Sequence, residues 1–241
     1  MKKRYVVGMV ILLITTILVG CSTLEDPVPS SSVETEESVD ASSVDPHAVY
    51  ADQTGRYYVA LSEKWGEEAY IDNAMSELPS GFYEGDPLEN VGFGFLDLDN
   101  DGSDELIIGA IRDAETDPVV FEIWTLVDGQ PVMIAQSSAR NRYFLQYVKE
   151  DNVWYVANEG SNSAFNHGTY YLMLMDGRLE VIQGILYDAE AEAENPWFMT
   201  YDRDWDVSND EPIDEDMANA ILESNRKHYT VLEYAPYSLY Q

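Results

Sequence analysis

The chain has 241 residues and carries 13 Lys+Arg against 45 Asp+Glu, a formal net charge of −32, so its surface repels phosphate backbones and excludes nucleic acid as a partner. Hydrophobic residues at 45% and aromatics at 12% supply material for a sizeable core and exclude wholesale disorder. One cysteine and three histidines argue against a disulfide framework, a cysteine-rich zinc site and a histidine-rich metal site.

Lys2, Lys3 and Arg4 form a basic start, followed by an uncharged apolar run from Tyr5 to Gly20. The run is shorter than the roughly 20 residues a spanning helix needs and fits a secretory signal. It ends Leu18-Val19-Gly20-Cys21, with the single cysteine of the chain at its close. This resembles the bacterial lipoprotein signal with its lipobox. The resemblance implies that residues 1–20 are a signal peptide removed before Cys21. It also implies lipid attachment to the Cys21 thiol and the new amino terminus, hence a cell-membrane, lipid-anchored, extracytoplasmic protein. Several acyl chains on one residue hold a protein stably where one chain does not. Residues 22–48 then contain seven Ser, seven acids and three Pro, with no Lys or Arg. Too little of this segment is apolar to offset its ordering entropy. Residues 21–48 are therefore expected to be a lipidated cysteine with a disordered acidic tether, reaching roughly 25–30 Å as a coil.

Residues 49–241 are expected to form a single globular domain. Tyr57, Leu61 and Trp65, then Ile71, Met75 and Leu78, recur at helical spacing and predict one or two helices over 55–78, with Gly66 as a break. From about 91 to 187, short apolar runs alternate with turn chemistry. Val119–Val127 and Pro131–Ala135 flank Asp128-Gly129, a strong hairpin signal. Tyr143–Val148 and Val153–Ala157 flank Glu150-Asp151-Asn152, and Tyr170–Met175 and Leu179–Leu186 flank Asp176-Gly177. An acidic segment, Glu190–Pro212, precedes a last helix starting near Pro212 with a buried stripe of Ile213, Met217 and Ile221. Thr230–Tyr234 is expected to be a final strand in the sheet. The fold class expected is α+β, an antiparallel β-meander of about six to eight strands with N-terminal helix or helices and a C-terminal helix.

One loop carries recognisable chemistry. Asp97-Leu98-Asp99-Asn100-Asp101-Gly102-Ser103-Asp104-Glu105 places carboxylates at positions 1, 3, 5 and 9, with Gly102 permitting a sharp turn. All the donors are oxygens, so the expected ion is a hard cation, calcium before magnesium. An EF-hand would need a bidentate Glu at position 12, where this chain has Ile108, and an incoming helix where Val91–Leu96 reads as a strand. The window from Phe93 to Ala110, with Gly92-Phe93-Gly94 before the loop and Leu106-Ile107-Ile108-Gly109-Ala110 after it, instead resembles the FG-GAP repeat of integrin-type propellers. That resemblance implies a structural calcium ion held by the side chains of Asp97, Asp99, Asp101 and Glu105 and the carbonyl of Ser103. Glu105 departs from the Asp usual at its position. The match occurs once, and a propeller needs typically four or more blades, so a closed propeller is not expected. The overall layout looks, more loosely, like secreted lipoproteins of Firmicutes that carry one such loop, successive hairpins and a terminal helix.

Other constellations read as structure. Asp202, Asp204, Asp206, Ser208 and Asp210 repeat the odd-position spacing, but Val207 stands where the glycine should, and an acidic surface loop is the better reading. Ser161 and Ser163 lie near His167 without G-x-S-x-G, in what reads as a connector. No catalytic residue is assigned. The function expected is a membrane-anchored extracytoplasmic binding or interaction domain with one structural calcium site. Its ligand would be an envelope protein, peptide or glycan. The alternative is a calcium-dependent hydrolase of envelope polysaccharide or peptide.

Overall fold

The structure, a computed structural model, describes residues 46–111 and 118–240. The signal, Cys21 and the tether as far as residue 45 lie outside the described residues. The chain enters through a 3-10 turn, Pro46–Tyr50, and continues into α1 (Ala51–Ser62) and α2 (Glu67–Asp72). The predicted helical stretch is two short helices that end at Asp72 rather than 78, so Met75 and Leu78 lie beyond them and Ile71 is exposed, and Lys64 in the left-handed region (φ 53°) makes the break. Gly66 caps the start of α2. A second 3-10 turn, Leu78–Phe82, leads to α3 (Pro87–Asn90), whose capping Asp86 accepts a hydrogen bond from Leu88 N at 3.0 Å.

The strands follow as β1 (Val91–Leu96), β2 (Glu105–Ala110), β3 (Val119–Val127), β4 (Gln130–Gln136), β5 (Asn141–Val148), β6 (Val153–Ser161), β7 (Asn166–Met175), β8 (Arg178–Asp188), β9 (Trp197–Thr200) and β10 (Glu211–Pro212). Helix α4 (Glu215–Arg226) and β11 (Ala235–Pro236) follow, with 3-10 turns at Val207–Asn209 and Tyr237–Leu239. The eleven strands among the described residues form one antiparallel sheet in the order β10-β9-β8-β7-β6-β5-β3-β2-β1-β11, with β4 paired to β3. The α+β class and the meander hold, and the sheet is larger than the six to eight strands predicted. The Asp128-Gly129 and Asp176-Gly177 turns have φ of 52°, 72°, 51° and 74°, positive at both central residues as two-residue hairpins of right-handed twist require. One edge of β3 carries β2. The other edge is divided, with Val119 and Val120 paired to β5 and Glu122–Val127 paired to β4 across a bulge at Ile123/Trp124.

Both faces of the sheet are covered, which is why all six residues of β2 are buried. Leu106, Ile108 and Phe121 face a cluster with Tyr57, Leu61 and Tyr70 from the helical layer. Ile107, Ile123, Leu145 and Leu172 face a second cluster on the other side. Fully burying each such side chain contributes about 1.5–3 kcal/mol, before the entropy of ordering it.

Two expectations near the C-terminus need correction. Thr230–Tyr234 is not a strand; the final strand is Ala235–Pro236 on the edge of β1. The 230–234 stretch lies across the face of β1 and β2, where Gly92, Gly94 and Gly109 leave a trough. A Cβ at Gly94 would sit 2.9 Å from Leu232 Cδ2, and one at Gly109 would sit 2.5 Å from the Tyr234 hydroxyl. The stripe of α4 is Ala218, Ile221 and Leu222, packed with Ile213 against Met199 and Ile185, while Met217 is 47% exposed. Asp214, whose carboxylate accepts from Met217 N at 2.7 Å, starts the helix two residues after Pro212. Among the described residues no helix is long and apolar enough to cross a membrane.

Candidate metal centre

The acidic loop joins β1 to β2, which pair from Val91↔Ala110 to Leu96↔Glu105, so the ladder brings its two ends together. Asn100 (φ 61°) and Gly102 (φ 92°) turn the chain back on itself. The carboxylates then bind the loop's own backbone. Asp97 accepts from Asp101 N at 3.1 Å and from Gly102 N at 3.0 Å, and Asp99 accepts from Asp101 N at 3.3 Å. Asp101 turns its carboxylate forward to Ser103 N at 2.7 Å.

Glu105 closes the site from within the sheet. It is 2% exposed, accepts from Leu98 N and from the Thr125 hydroxyl, both at 2.8 Å, and so spends one lone pair on each oxygen. Burial pushes its carboxyl up to about 7, against the opposing effect of these two bonds, with the charges of Asp99 and Asp101 adding to the rise. Burial, then the neighbouring Asp101, raises Asp99 as well. Among the described residues no lysine or arginine is ion-paired with Asp97, Asp99 or Glu105.

One oxygen from each of Asp97, Asp99 and Glu105 lies within 4.8 Å of the others. Two ligands of one calcium ion, each at ~2.3–2.6 Å, are at most about 5 Å apart, so this all-oxygen arrangement fits calcium. The structure thus brings three of the five expected ligand residues together. Asp101 is not in the converged group, and Ser103 offers its N–H to Asp101.

Three residues at the site were not foreseen. His47 Nε2 lies 2.8 Å from Asp104 Oδ2 and its ring stacks on Phe95 at 3.7 Å, and the Tyr50 hydroxyl donates to Asp104 O at 3.0 Å. Thr125 comes from β3. No sequence pattern marks residues 47 and 50 as partners of a loop more than fifty positions away. The chain therefore enters the domain against the acidic loop.

The remaining candidates separate. The acids of the 202–210 loop form no three-ligand group of this kind among the described residues. The Ser161 hydroxyl donates to Ser163 O, Ser163 Oγ accepts from Phe165 N, and His167 stacks on Tyr187 at 4.7 Å, so neither serine is hydrogen-bonded to the imidazole. A second buried glutamate, Glu122, lies on the opposite face of the sheet from Glu105. It accepts from Ser76 N and Trp124 Nε1, both at 2.9 Å, and ties the helical layer to β3. Burial raises its carboxyl too.

Comparison with known proteins finds no family model that matches the chain, no matching curated protein and no matching solved structure.

Proposed function

We propose that this chain is a membrane-anchored extracytoplasmic lipoprotein whose folded domain is a binding module stabilised by one calcium ion. Asp97, Asp99 and Glu105 hold the ion, and Asp101 and the Ser103 carbonyl complete the shell once it is bound. The observation that carries the calcium reading is the convergence of three carboxylates, one of them a nearly sealed glutamate, with no lysine or arginine ion-paired to them among the described residues. An ion there removes like-charge repulsion and adds its binding energy to folding. The role is structural: the ion joins the β1 end of the loop to the first residue of β2. The lipobox resemblance supports the anchor at Cys21, and composition supports a tether that ends before the 3-10 turn Pro46–Tyr50, where His47 already packs on Phe95. Its partners are the membrane, through the lipid, and an envelope protein, peptide or glycan.

Melting of the protein with calcium and with chelator tests the ion. A rise at millimolar calcium that vanishes in Asp97→Asn/Asp99→Asn supports it, and an identical rise in that variant refutes it. Labelling of cells with an alkyne fatty acid tests the anchor, which requires incorporation that is lost in Cys21→Ser. Capture of exported proteins and wall polymers on the immobilised protein tests the binding role, which reproducible absence of any ligand would overturn.

A further inference from the structure

The face of the sheet beneath the last turn of α4 holds a second polar site, away from the acidic loop. A cavity of about 210 Å³ is walled there by Gln146, Tyr155, Tyr171, Ile182, Gln183 and Asn225. On the ladder Gln146 pairs with Tyr155 and Tyr171 pairs with Gln183, so amide and phenol side chains lie side by side on one face. Hydrogen bonds fix how the amides are turned. Asn225 Nδ2 donates to Ile221 O at 3.0 Å, which leaves its Oδ1 to accept from Gln146 Nε2 at 2.8 Å.

Gln146 Oε1 is thereby left without a donor, and the Tyr171 hydroxyl also has no partner. These side chains are 1% and 4% exposed. Asn225 faces the Tyr171 hydroxyl but outside hydrogen-bond geometry. Buried polar atoms are almost always paired, and these two orphans beside Asn225, sealed from the cavity while that side chain stays in place, point to an occupant that supplies the missing bonds once Asn225 moves.

The lining defines that occupant. Among the described residues no Lys, Arg or His lines the cavity and Asp151 contributes the only charge in the lining, so an anion is disfavoured. Gln146 Oε1 is an acceptor and the Tyr171 hydroxyl a donor, and the two together match a hydroxyl group that is both. Tyr155 and Ile182 offer apolar surface for the C–H face of a ring. The volume is below the ~300–1,000 Å³ of sites for drug-sized ligands, so one small ring fills it. On the far side of the same helix end, a recess of about 210 Å³ presents Trp197 and His167 beside Glu159 and Arg226. There Glu159 is already engaged by Arg226 Nε at 3.1 Å and the Tyr229 hydroxyl at 2.9 Å.

We propose that the cavity walled by Gln146, Tyr171 and Gln183 binds one neutral pyranose unit, and that the Trp197 recess receives the next unit of a glycan. The amides and the Tyr171 hydroxyl take the sugar hydroxyls, and a small shift of Asn225 opens Gln146 and Tyr171 to them. The proposal rests on the domain being a binding module and is independent of the calcium ion.

Saturation-transfer NMR and thermal melting of the full chain in detergent test it. The probes are glucose, galactose and N-acetylglucosamine, each alone and as its β-linked disaccharide. Transfer to ring protons of at least one sugar is expected, with the disaccharide binding more tightly than its monomer if a glycan is the source. A free sugar as the source requires equal affinities. Tyr171→Phe and Gln183→Ala should each weaken binding about two- to tenfold. Tyr171→Phe should hold or raise the unliganded melting temperature, because its hydroxyl has no bond to lose and its unpaired burial is relieved. Absence of transfer from every sugar, or undiminished binding in both variants, overturns the assignment and leaves only water in the cavity. If sugars fail while an envelope protein or peptide is still captured, the cavity assignment falls and the binding-module reading stands. If nothing is captured either, both fall.

Discussion

Two loops of this chain carry acids at the same alternate positions, 97–105 and 202–210, and they fold to different ends. In the first, Asn100 and Gly102 adopt positive φ, the flanking strands pair along their whole length, and three carboxylates converge. In the second, three of the four carboxylates accept the N–H two residues on: Asp202 from Asp204 N at 3.3 Å, Asp204 from Asp206 N at 2.9 Å, Asp206 from Ser208 N at 3.0 Å. Its anchors to the sheet are Arg203 to the Tyr143 hydroxyl at 2.8 Å and the Tyr170 hydroxyl to Asp204 O at 3.0 Å. Spacing decides which acids alternate. Left-handed residues and a tied ladder decide whether they meet. Position nine sharpens the contrast. Glu105 is nearly sealed and doubly hydrogen-bonded, whereas Asp210 is half-buried with one oxygen unpartnered.

The largest test of the contrast is calcium itself. At a dissociation constant of ~10⁻⁴–10⁻³ M, 10 mM calcium adds roughly 1.4–2.7 kcal/mol, which raises the melting temperature about 3–10 °C for a domain of this size. Asp97→Asn/Asp99→Asn should abolish the rise and Asp202→Asn/Asp204→Asn should preserve it. Equal loss in both variants would break the comparison. Next, Glu105→Ala in chelator should cost about 1–3 kcal/mol by denaturant unfolding, since Leu98 N and the Thr125 hydroxyl lose their acceptor. Asp210→Ala should cost less.

Gly102→Ala follows, at about 1–2 kcal/mol, because a side chain is strained at φ 92° even where space is open. A weakened calcium response should accompany it. The pH dependence has a fixed sign. With Glu105 raised from 4.5 to about 7, its neutral form stabilises the calcium-free fold fully below pH 4.5, and that contribution is lost as pH rises through 7. Calcium competes with the proton, so its affinity should increase from pH 5 to 7. An affinity flat across that range, or unchanged in slope in Glu105→Gln, would contradict the assignment. Smallest is His47→Ala. Its contact with Asp104 is partly exposed, at 30% and 41%, and removal should cost roughly 0.5–1 kcal/mol, about 1–4 °C of melting temperature.

Much of the fold was legible where the determinants lie within a few residues of each other. Asp128-Gly129 and Asp176-Gly177 announce their hairpins because the turn geometry needs residues tolerant of positive φ. Asp214 starts α4 through a bond to a nitrogen three residues on. The loop's acids and Gly102 were legible for the same reason, and so was the failure of the 202–210 loop to offer a glycine turn.

Contacts between distant segments were not legible. β9, β10 and β11 are four, two and two residues long and have no periodicity to read; they are strands because a neighbour supplies the ladder. Gly92, Gly94 and Gly109 look like ordinary strand glycines until Leu232 and Tyr234 lie across them. The sequence by itself determined the class of fold, the hairpins and an oxygen-rich loop, all set by local torsions and hydrogen bonds. Tertiary structure decided which acids face one another, that Glu105 is sealed by Thr125 from another strand, and that His47 and Tyr50 brace the loop. Burial and convergence depend on residues far apart in the chain, and no local pattern encodes them.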